Sequence, residues 1–489
     1  MPRSGKKAGR RRPLVVALLA LAALPAPALA DRDAEVAIQD DQLILTHKQE
    51  RVDGAMTVFK NLGVDRVRVS VFWKDIAPSP RSTRRPKRFD PTNGRSRRYY
   101  DWRNLDRVVR SASEQGLKLL LTITTPEPLW GSLSPRKKNG VWKPDPADFA
   151  DFAEAVAKRY GSRVDMYSIM NEPNQGAWLQ PQSERGRYFA PHLYRDIVNA
   201  AYPRIKAADP TSTVLVGELA PIGRKDKGVT RPIRPLKFLR EFACVDDNYQ
   251  PITTGRCANF VPPPADMIAT HPYQVKGDPA IASSSSDDAA IGDWSRLFGA
   301  LDTLTAGGRI LSQQKPQLDV YYTEFGYQTK PPDPYSGISL KRQDTYLQRA
   351  SYIAWATPRV RGNTQFRLTD GQLIKTRNKR LRYAEIQSGL LFARGRPKPS
   401  YYNFFDPFWI EPQVAPPGTN IQLWGQVRPG DAHEVIIEQR PDRSQPWTEV
   451  IRVNTDPLGY FELFLPAAAG EWRYRWDDGV SATRVVRVG

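Results

Sequence analysis

An α/β chain built as a (β/α)8 TIM barrel and followed by a small C-terminal all-β sandwich module is what this sequence predicts. Three observations predict it. From about residue 40 to residue 400, short apolar runs alternate with stretches of helical period, the pattern of repeated βα units around a parallel sheet. Two of those runs end in a glutamate, Glu172 and Glu324. Beyond Pro412, Pro416 and Pro417, six short strand-like runs follow at regular spacing.

The N-terminus stands apart from this pattern. Six cations between Arg3 and Arg12 precede the apolar run Leu14 to Leu24 and a small-residue site at Ala28-Leu29-Ala30, so residues 1–30 read as a signal peptide. Arg11-Arg12 invites a twin-arginine reading, but its flanks fit the general secretory route better. No later segment approaches the roughly 20 apolar residues of a membrane span. The mature chain is therefore expected to be secreted, extracellular or associated with the cell wall. The whole chain carries a formal charge of +20. About +14 remains without the signal cations, a balance that suits an anionic partner. No helix-turn-helix, zinc-knuckle or RNA-recognition signature accompanies it, which argues against nucleic acid.

Within residues 31–410, the expected catalytic domain, the units run in order. Leu43-Ile44-Leu45 is expected to open the sheet, and Val52, Met56, Phe59 and Leu62 mark a helix that Gly63 ends. Val64 to Val71 alternates as the second strand. If Val67, Val69 and Val71 face the helices, Arg68 points into the barrel, where it needs a carboxylate. The loop Pro78 to Tyr100 holds Arg81, Arg84, Arg85, Lys87, Arg88, Arg95, Arg97 and Arg98 against one acid, Asp90. Most such runs are solvated loops; on the strand C-terminal face this one would also be placed to grip an anionic substrate. Leu117 to Thr125 is the third strand, Pro146 to Tyr160 a helix, and Val164 to Ile169 the strand that Glu172 closes. A helix through Leu193 and Ile205, the strand Thr213 to Gly217, and a helix around Phe238 to Phe242 complete the fifth unit. Asp266 to Tyr273 is the sixth strand, Ser283 to Asp288 a polar low-complexity loop, and Trp294 to Leu304 the next helix. Leu318 to Gly326 is the seventh strand and Leu340 to Ala356 its helix. The eighth strand falls within Asn363 to Leu368, with the chain returning along a last helix between Ser388 and Tyr401.

Residues 411–489 read as the sandwich module. Its Trp424, Trp447, Trp472 and Trp476 are of a type that stacks on sugars, but in so small a sandwich tryptophan is more often core. Cys244 and Cys257 are the two cysteines, and in an exported chain a pair this close is more often a disulfide than two free thiols. Four scattered histidines argue against a His-rich metal site, so neither metal nor cofactor is expected.

Asn171-Glu172-Pro173 alone would occur by chance in roughly 5% of chains this long. Its weight comes from Glu324, because glutamates closing the fourth and seventh strands face each other across the barrel mouth. One carboxylic acid that protonates a departing oxygen and one carboxylate that attacks an anomeric carbon or activates water are what glycosidic cleavage requires. With Thr323-Glu324-Phe325-Gly326, with Arg68 and Trp73 at the second strand, and with His271-Pro272-Tyr273 at the sixth, residues 40 to 405 resemble the clan of retaining (β/α)8 glycoside hydrolases. Cellulase-like and β-xylosidase-like members are the nearest in pattern.

The resemblance implies that Glu172 is the general acid/base and Glu324 the nucleophile. It also implies that Asn171 binds the sugar 2-hydroxyl, and that Arg68 and Tyr273 hold Glu324 ionised and oriented. His271 is left between substrate contact and bracing, and Trp73, Trp130 and Trp178 are candidate stacking surfaces. The tryptophan common after the eighth strand of such enzymes is missing here, where the stretch reads Thr364-Gln365-Phe366-Arg367. The expected partner is a β-linked glycan, which the charge would allow to be anionic, and the expected activity is O-glycosyl hydrolysis. The alternative is a catalytically silent glycan-binding or cell-wall-binding protein on the same barrel.

Overall fold

The computed structural model describes Met1, residues 34–477 and residues 479–489. Apart from Met1, the expected signal peptide lies outside the described residues. Eight parallel strands close into a barrel: β1 (Glu35–Gln39), β2 (Arg66–Phe72), β3 (Lys118–Thr124), β4 (Met166–Ile169), β5 (Thr213–Leu219), β6 (Met267–Thr270), β7 (Asp319–Phe325) and β8 (Val360–Phe366). Each pairs with the next, and β8 pairs back to β1. Among the described residues, seven helices of eight residues or more lie between them: α1 (Gln49–Asn61), α2 (Arg103–Glu114), α3 (Pro146–Tyr160), α4 (Ala190–Ala208), α5 (Pro235–Phe242), α6 (Trp294–Ala306) and α7 (Leu340–Ala356).

Local chemistry fixes the helix starts. Asp145 caps α3 by accepting from the N–H groups of Ala147 and Asp148, with Pro146 pre-set at the first helical position. Ser339 caps α7 in the same manner. Alternation along the strands fixes the layers. Val67, Val69 and Val71 join the core shared with the helices, while Ala37, Leu120, Met166, Leu215, Ala269 and Tyr321 fill the barrel interior. At the N-terminal ends of the strands, buried Arg66 is held by Glu35 at 2.7 Å and Asp165 at 2.6 Å.

Three expectations are corrected. Leu43 and Ile44 belong to a helical turn, Asp41–Ile44, and the first strand is Glu35–Gln39, because three apolar residues in a row fit a turn as well as a strand. The eighth strand begins three residues early, at Val360. No full helix follows it; the returning chain forms a single turn, Pro399–Tyr402. The polar stretch Ser283 to Asp288 is a loop as expected, tied by Asp287 and Asp288 to Arg240 and Arg234.

The module packs two antiparallel-rich sheets. One contains β9 (Phe408–Glu411), β11 (Asn420–Gln426) and β14 (Tyr460–Pro466). The other contains β10 (Val414–Ala415), β17 (Arg484–Val488), β15 (Gly470–Trp476), β12 (Glu434–Arg440) and β13 (Thr448–Asn454), with β16 (Gly479–Val480) beside β15. The six runs read from sequence are all strands, and β9, ahead of residue 411, pairs with β11 as part of the same sheet. The module rests on the N-terminal end of the barrel. Trp424 packs on Trp355 near the end of α7, the Tyr460 hydroxyl donates to the Ala34 carbonyl at 3.0 Å, and Arg428 and Pro429 press on Gly63.

Candidate active site

The site is assembled where β4, β5, β6 and β7 end. After Ile169 the chain leaves the sheet through Met170 and Glu172, both at positive φ (67° and 37°). These are backbone conformations that cost on the order of 1 kcal/mol or more each and persist only when neighbours hold them. They are held: Asn171 N–H donates to Thr124 Oγ1 at 3.1 Å, and Glu172 N–H to the Glu218 carbonyl at 3.2 Å. Asn174 ties the turn to the next unit, its amide bonding both the N–H and the carbonyl of Ala220. Beneath it, the Tyr194 hydroxyl from α4 donates to Ile169 and accepts from Gly217 N–H, locking the ends of β4 and β5 together.

Arg68 is the hub. Its side chain is fully buried, and each of its guanidinium N–H groups has an acceptor. Nε and Nη2 reach the two oxygens of Glu218 at 3.2 and 2.6 Å, Nη2 also reaches Asn171 Oδ1 at 2.6 Å, and Nη1 reaches Glu324 Oε1 at 2.8 Å and Gln39 Oε1. Glu324 is bound from its other side by the Tyr273 hydroxyl, 2.8 Å from Oε2. His271, wholly buried, places Nδ1 3.0 Å from Glu172 Oε1 and 3.6 Å from Glu324 Oε2. One imidazole nitrogen thus spans both carboxylates, so their facing oxygens are no farther apart than the sum of those two distances.

The electrostatics follow from this packing. Burial pushes the Glu324 carboxyl above its ordinary range, against the opposing pull of His271 and Arg68. The expectation that Arg68 and Tyr273 orient Glu324 matches the contacts; desolvation outweighs them in setting its acidity. Burial works against a charge on His271, yet Glu324 and then Glu172 carry its pKa above the usual value. Tyr273 is pushed well up by burial and by Glu324, so it donates its proton in a hydrogen bond. A partly accessible carboxyl, Glu172, and a nearly enclosed carboxylate, Glu324, facing each other over one histidine form an arrangement suited to acid/base work paired with nucleophilic attack.

The family model for cellulase, glycosyl hydrolase family 5, matches residues 37–253, from β1 to beyond α5, a span that includes Asn171-Glu172-Pro173. A family 39 glycoside hydrolase from the gut symbiont Bacteroides cellulosilyticus WH2 superimposes with a TM-score of 0.51 at 16% identity, over 92% of this chain and 80% of that one. By the family-model match residues 37–253 are a glycosyl hydrolase domain, and the likeness to solved structures shows the (β/α)8-barrel fold. A monomeric β-xylosidase from Caulobacter crescentus CB15 is a further structural neighbour, with a TM-score of 0.48 and 12% identity over 90% of this chain and 95% of that one. No curated protein matches the chain significantly in sequence.

The barrel brings Arg68, Asn171, Glu172, His271, Tyr273 and Glu324 together, and it treats the tryptophans differently. Trp73 is wholly enclosed, stacked on Phe152 and edge-on to Trp130 and Phe149, so it offers no face to a sugar. Trp130 is buried as well, with its Nε1 donating to the Pro78 carbonyl. Trp73 is core because Trp130 and Gly131 of the loop after β3 and Phe149 and Phe152 of α3 enclose it, and Trp130 is in turn covered by Phe89 of the loop after β2. Trp178 alone of the three is half-buried, lying nearly parallel to Phe72. Phe366, at the end of β8, sits edge-on to Tyr273 where the missing tryptophan was expected. In the module, Trp472 is core, Trp424 faces the barrel, and Trp447 lies beneath Arg440 and Arg473. Cys244 and Cys257 are joined by a disulfide.

Two residues escaped the sequence reading. Gln39 ends β1, which had been placed elsewhere. Glu218 ends β5 as Glu172 follows β4, and the same signal, an acid closing an apolar run, was open to reading there had the strand not been stopped at Gly217. The eight cations of the basic loop 81–98 are exposed, in keeping with the solvated reading of such runs. Gly94 lies against the α3 backbone at Ala155, Arg159 of α3 donates to the Gly94 carbonyl, and Arg85 pairs with Asp148, so the loop runs down the outer flank of the barrel. A second basic run, Lys375, Arg377, Lys379, Arg380 and Arg382, is exposed in the loop after β8. Arg380 lies over Tyr335, in the loop after β7, and Lys276 bonds the Tyr335 carbonyl, so this run belongs to the rim beside Glu324.

Proposed function

We propose that this chain is an exported retaining hydrolase of β-linked glycans, working by double displacement. The observation that carries the reading is the single His271 nitrogen lying at 3.0 and 3.6 Å from Glu172 and Glu324. It supports a carboxyl separation compatible with the roughly 5–5.5 Å of retaining pairs. In the first step the Glu324 carboxylate attacks the anomeric carbon while the bond to the leaving oxygen breaks, and Glu172 supplies the proton that oxygen takes up. In the second, water attacks the same carbon as Glu172 removes its proton, and Glu324 departs as carboxylate. Asn171, whose carbonyl oxygen is engaged by Arg68, has its NH2 group left for the sugar 2-hydroxyl. Export rests on the N-terminal sequence. An acidic glycan is favoured by the rim run from Lys375 to Arg382, none of whose cations has an ion-pair partner among the described residues.

Glu324→Ala should abolish turnover of an activated aryl β-glycoside, and azide should restore it with the α-glycosyl azide as product. Glu172→Ala should lose most on poor leaving groups, and azide there should yield the β-azide. Wild-type activity in Glu324→Ala would end the assignment. For the acidic substrate class, hydrolysis of a uronic-acid polymer should fall more steeply with salt than that of a neutral glucan; equal slopes would remove that part of the reading.

A further inference from the structure

We propose that Glu218 is a positioning residue that holds both candidate catalytic carboxylates in place, Glu324 through its side chain and Glu172 through its main chain. This rests on the glycosidase reading and adds a third carboxylate to the site. Glu218 is fully buried, and its two oxygens take the Nε and Nη2 edge of Arg68 and the Thr122 hydroxyl at 2.8 Å. That fork fixes the plane of the guanidinium, so that Nη1 and the second Nη2 proton can only point at Glu324 and Asn171. Its carbonyl meanwhile accepts from the N–H of Glu172. The residue achieves this at φ +44°, where the register between β5 and β6 shifts between Gly217 and Leu219. A bulge of this kind re-aims a side chain at the rim of a barrel.

The charge balance gives Glu218 a second effect. One arginine faces two carboxylates, and the closer, two-pronged contact is with Glu218. Most of the positive charge is thus matched before Glu324 meets it, and Glu324 receives a hydrogen bond while keeping the basicity a nucleophile uses. Glu218→Gln, which preserves shape and removes charge, would hand the full field of Arg68 to Glu324.

The test compares Glu218→Gln with Glu218→Asp and wild type. On 2,4-dinitrophenyl β-glycosides, the acid limb of kcat/KM should move down by roughly 1 pH unit in Glu218→Gln, and kcat should fall about tenfold or more with KM little changed. Glu218→Asp, which keeps the charge at shorter reach, should lose rate without moving the limb. A second readout needs no turnover. His271, one of four histidines, should titrate at lower pH by NMR in Glu218→Gln, because the unmatched charge of Arg68 lies beside it. A lowered melting temperature with the acid limb and His271 both unmoved would reduce Glu218 to a structural residue and overturn the proposal. If trapping with a 2-deoxy-2-fluoro glycoside labels no residue, or one other than Glu324, the reading of Glu324 as nucleophile fails by itself, and the His271 titration still decides whether Glu218 governs the charge at this site.

Discussion

Glu127, in the loop after β3, is a carboxyl with no side chain to bind it. It is wholly buried, and burial pushes its pKa from the ordinary 4.5 up to about 8, with only the backbone N–H groups of Glu127 and Trp142 and the distant charge of Lys74 opposing. The folded chain therefore keeps a proton that the unfolded chain releases between those two values. Because the native state binds more protons there, stability is fullest below about pH 4.5 and declines as pH rises toward 8. Glu127→Gln retains the shape without the proton. Its thermal stability should match wild type near pH 4.5 and exceed it near pH 8, by up to a few kcal/mol at about 1.36 kcal/mol per unit. Melting curves of the two proteins across that range decide it, and a difference independent of pH would show that the folded chain does not retain the Glu127 proton. Glu127 sits in a polar-looking stretch, Thr124-Thr125-Pro126-Glu127, and its burial was invisible in sequence because the loop that covers it, around Gly140, is distant in the chain.

At the scale of the element, the site depends on how strand ends are fastened. The Tyr194 hydroxyl bonds both Ile169 and Gly217, so it couples the strand before Glu172 to the strand that carries Glu218. Tyr194→Phe strands a buried carbonyl and a buried N–H, a loss of about 1–3 kcal/mol. Urea denaturation should report that loss, and kcat should fall further than KM rises, since the carboxylates shift relative to one another. An unchanged kcat would mean that β4 and β5 hold their ends without the tyrosine. Strand interiors were legible in the sequence: the alternation Val67, Arg68, Val69 placed an arginine inside the barrel and required a carboxylate for it. The resemblance named Glu324 as its partner, but the alternation alone named neither that residue nor Glu218. Arg68 selects Glu218 and Glu324 together through barrel closure, a contact between residues 150 and 256 positions away that no local period encodes. Trp73 shows the converse limit, since a residue next to a strand end can be roofed by the loop and helix of the following unit.

Across the whole molecule, the module is joined to the end of the barrel opposite the carboxylates. Its contact is aromatic: Trp355 and Tyr352 of α7 meet Trp424 and Tyr460 of the module with ring centroids 5.8 to 6.3 Å apart, and Trp355 and Trp424 are almost fully buried. The sequence showed four tryptophans and a run of six strands, but a tryptophan facing a sugar, a core or another domain has the same local context, so the interface had to come from the fold. Such a contact makes a definite claim about cooperativity. If it couples the two parts, Trp424→Ala should destabilise the entire chain by about 3–5 kcal/mol, the range for removing a large buried aromatic side chain. Barrel and module should still unfold in one transition when followed by far-UV dichroism and by tryptophan fluorescence. Hydrolysis of small aryl glycosides at low temperature should keep its KM, because the change lies at the far end from Glu172 and Glu324. Two separated transitions in wild type, or a Trp424→Ala effect confined to the module, would show that the barrel reaches its stability alone and that the module is an appendage.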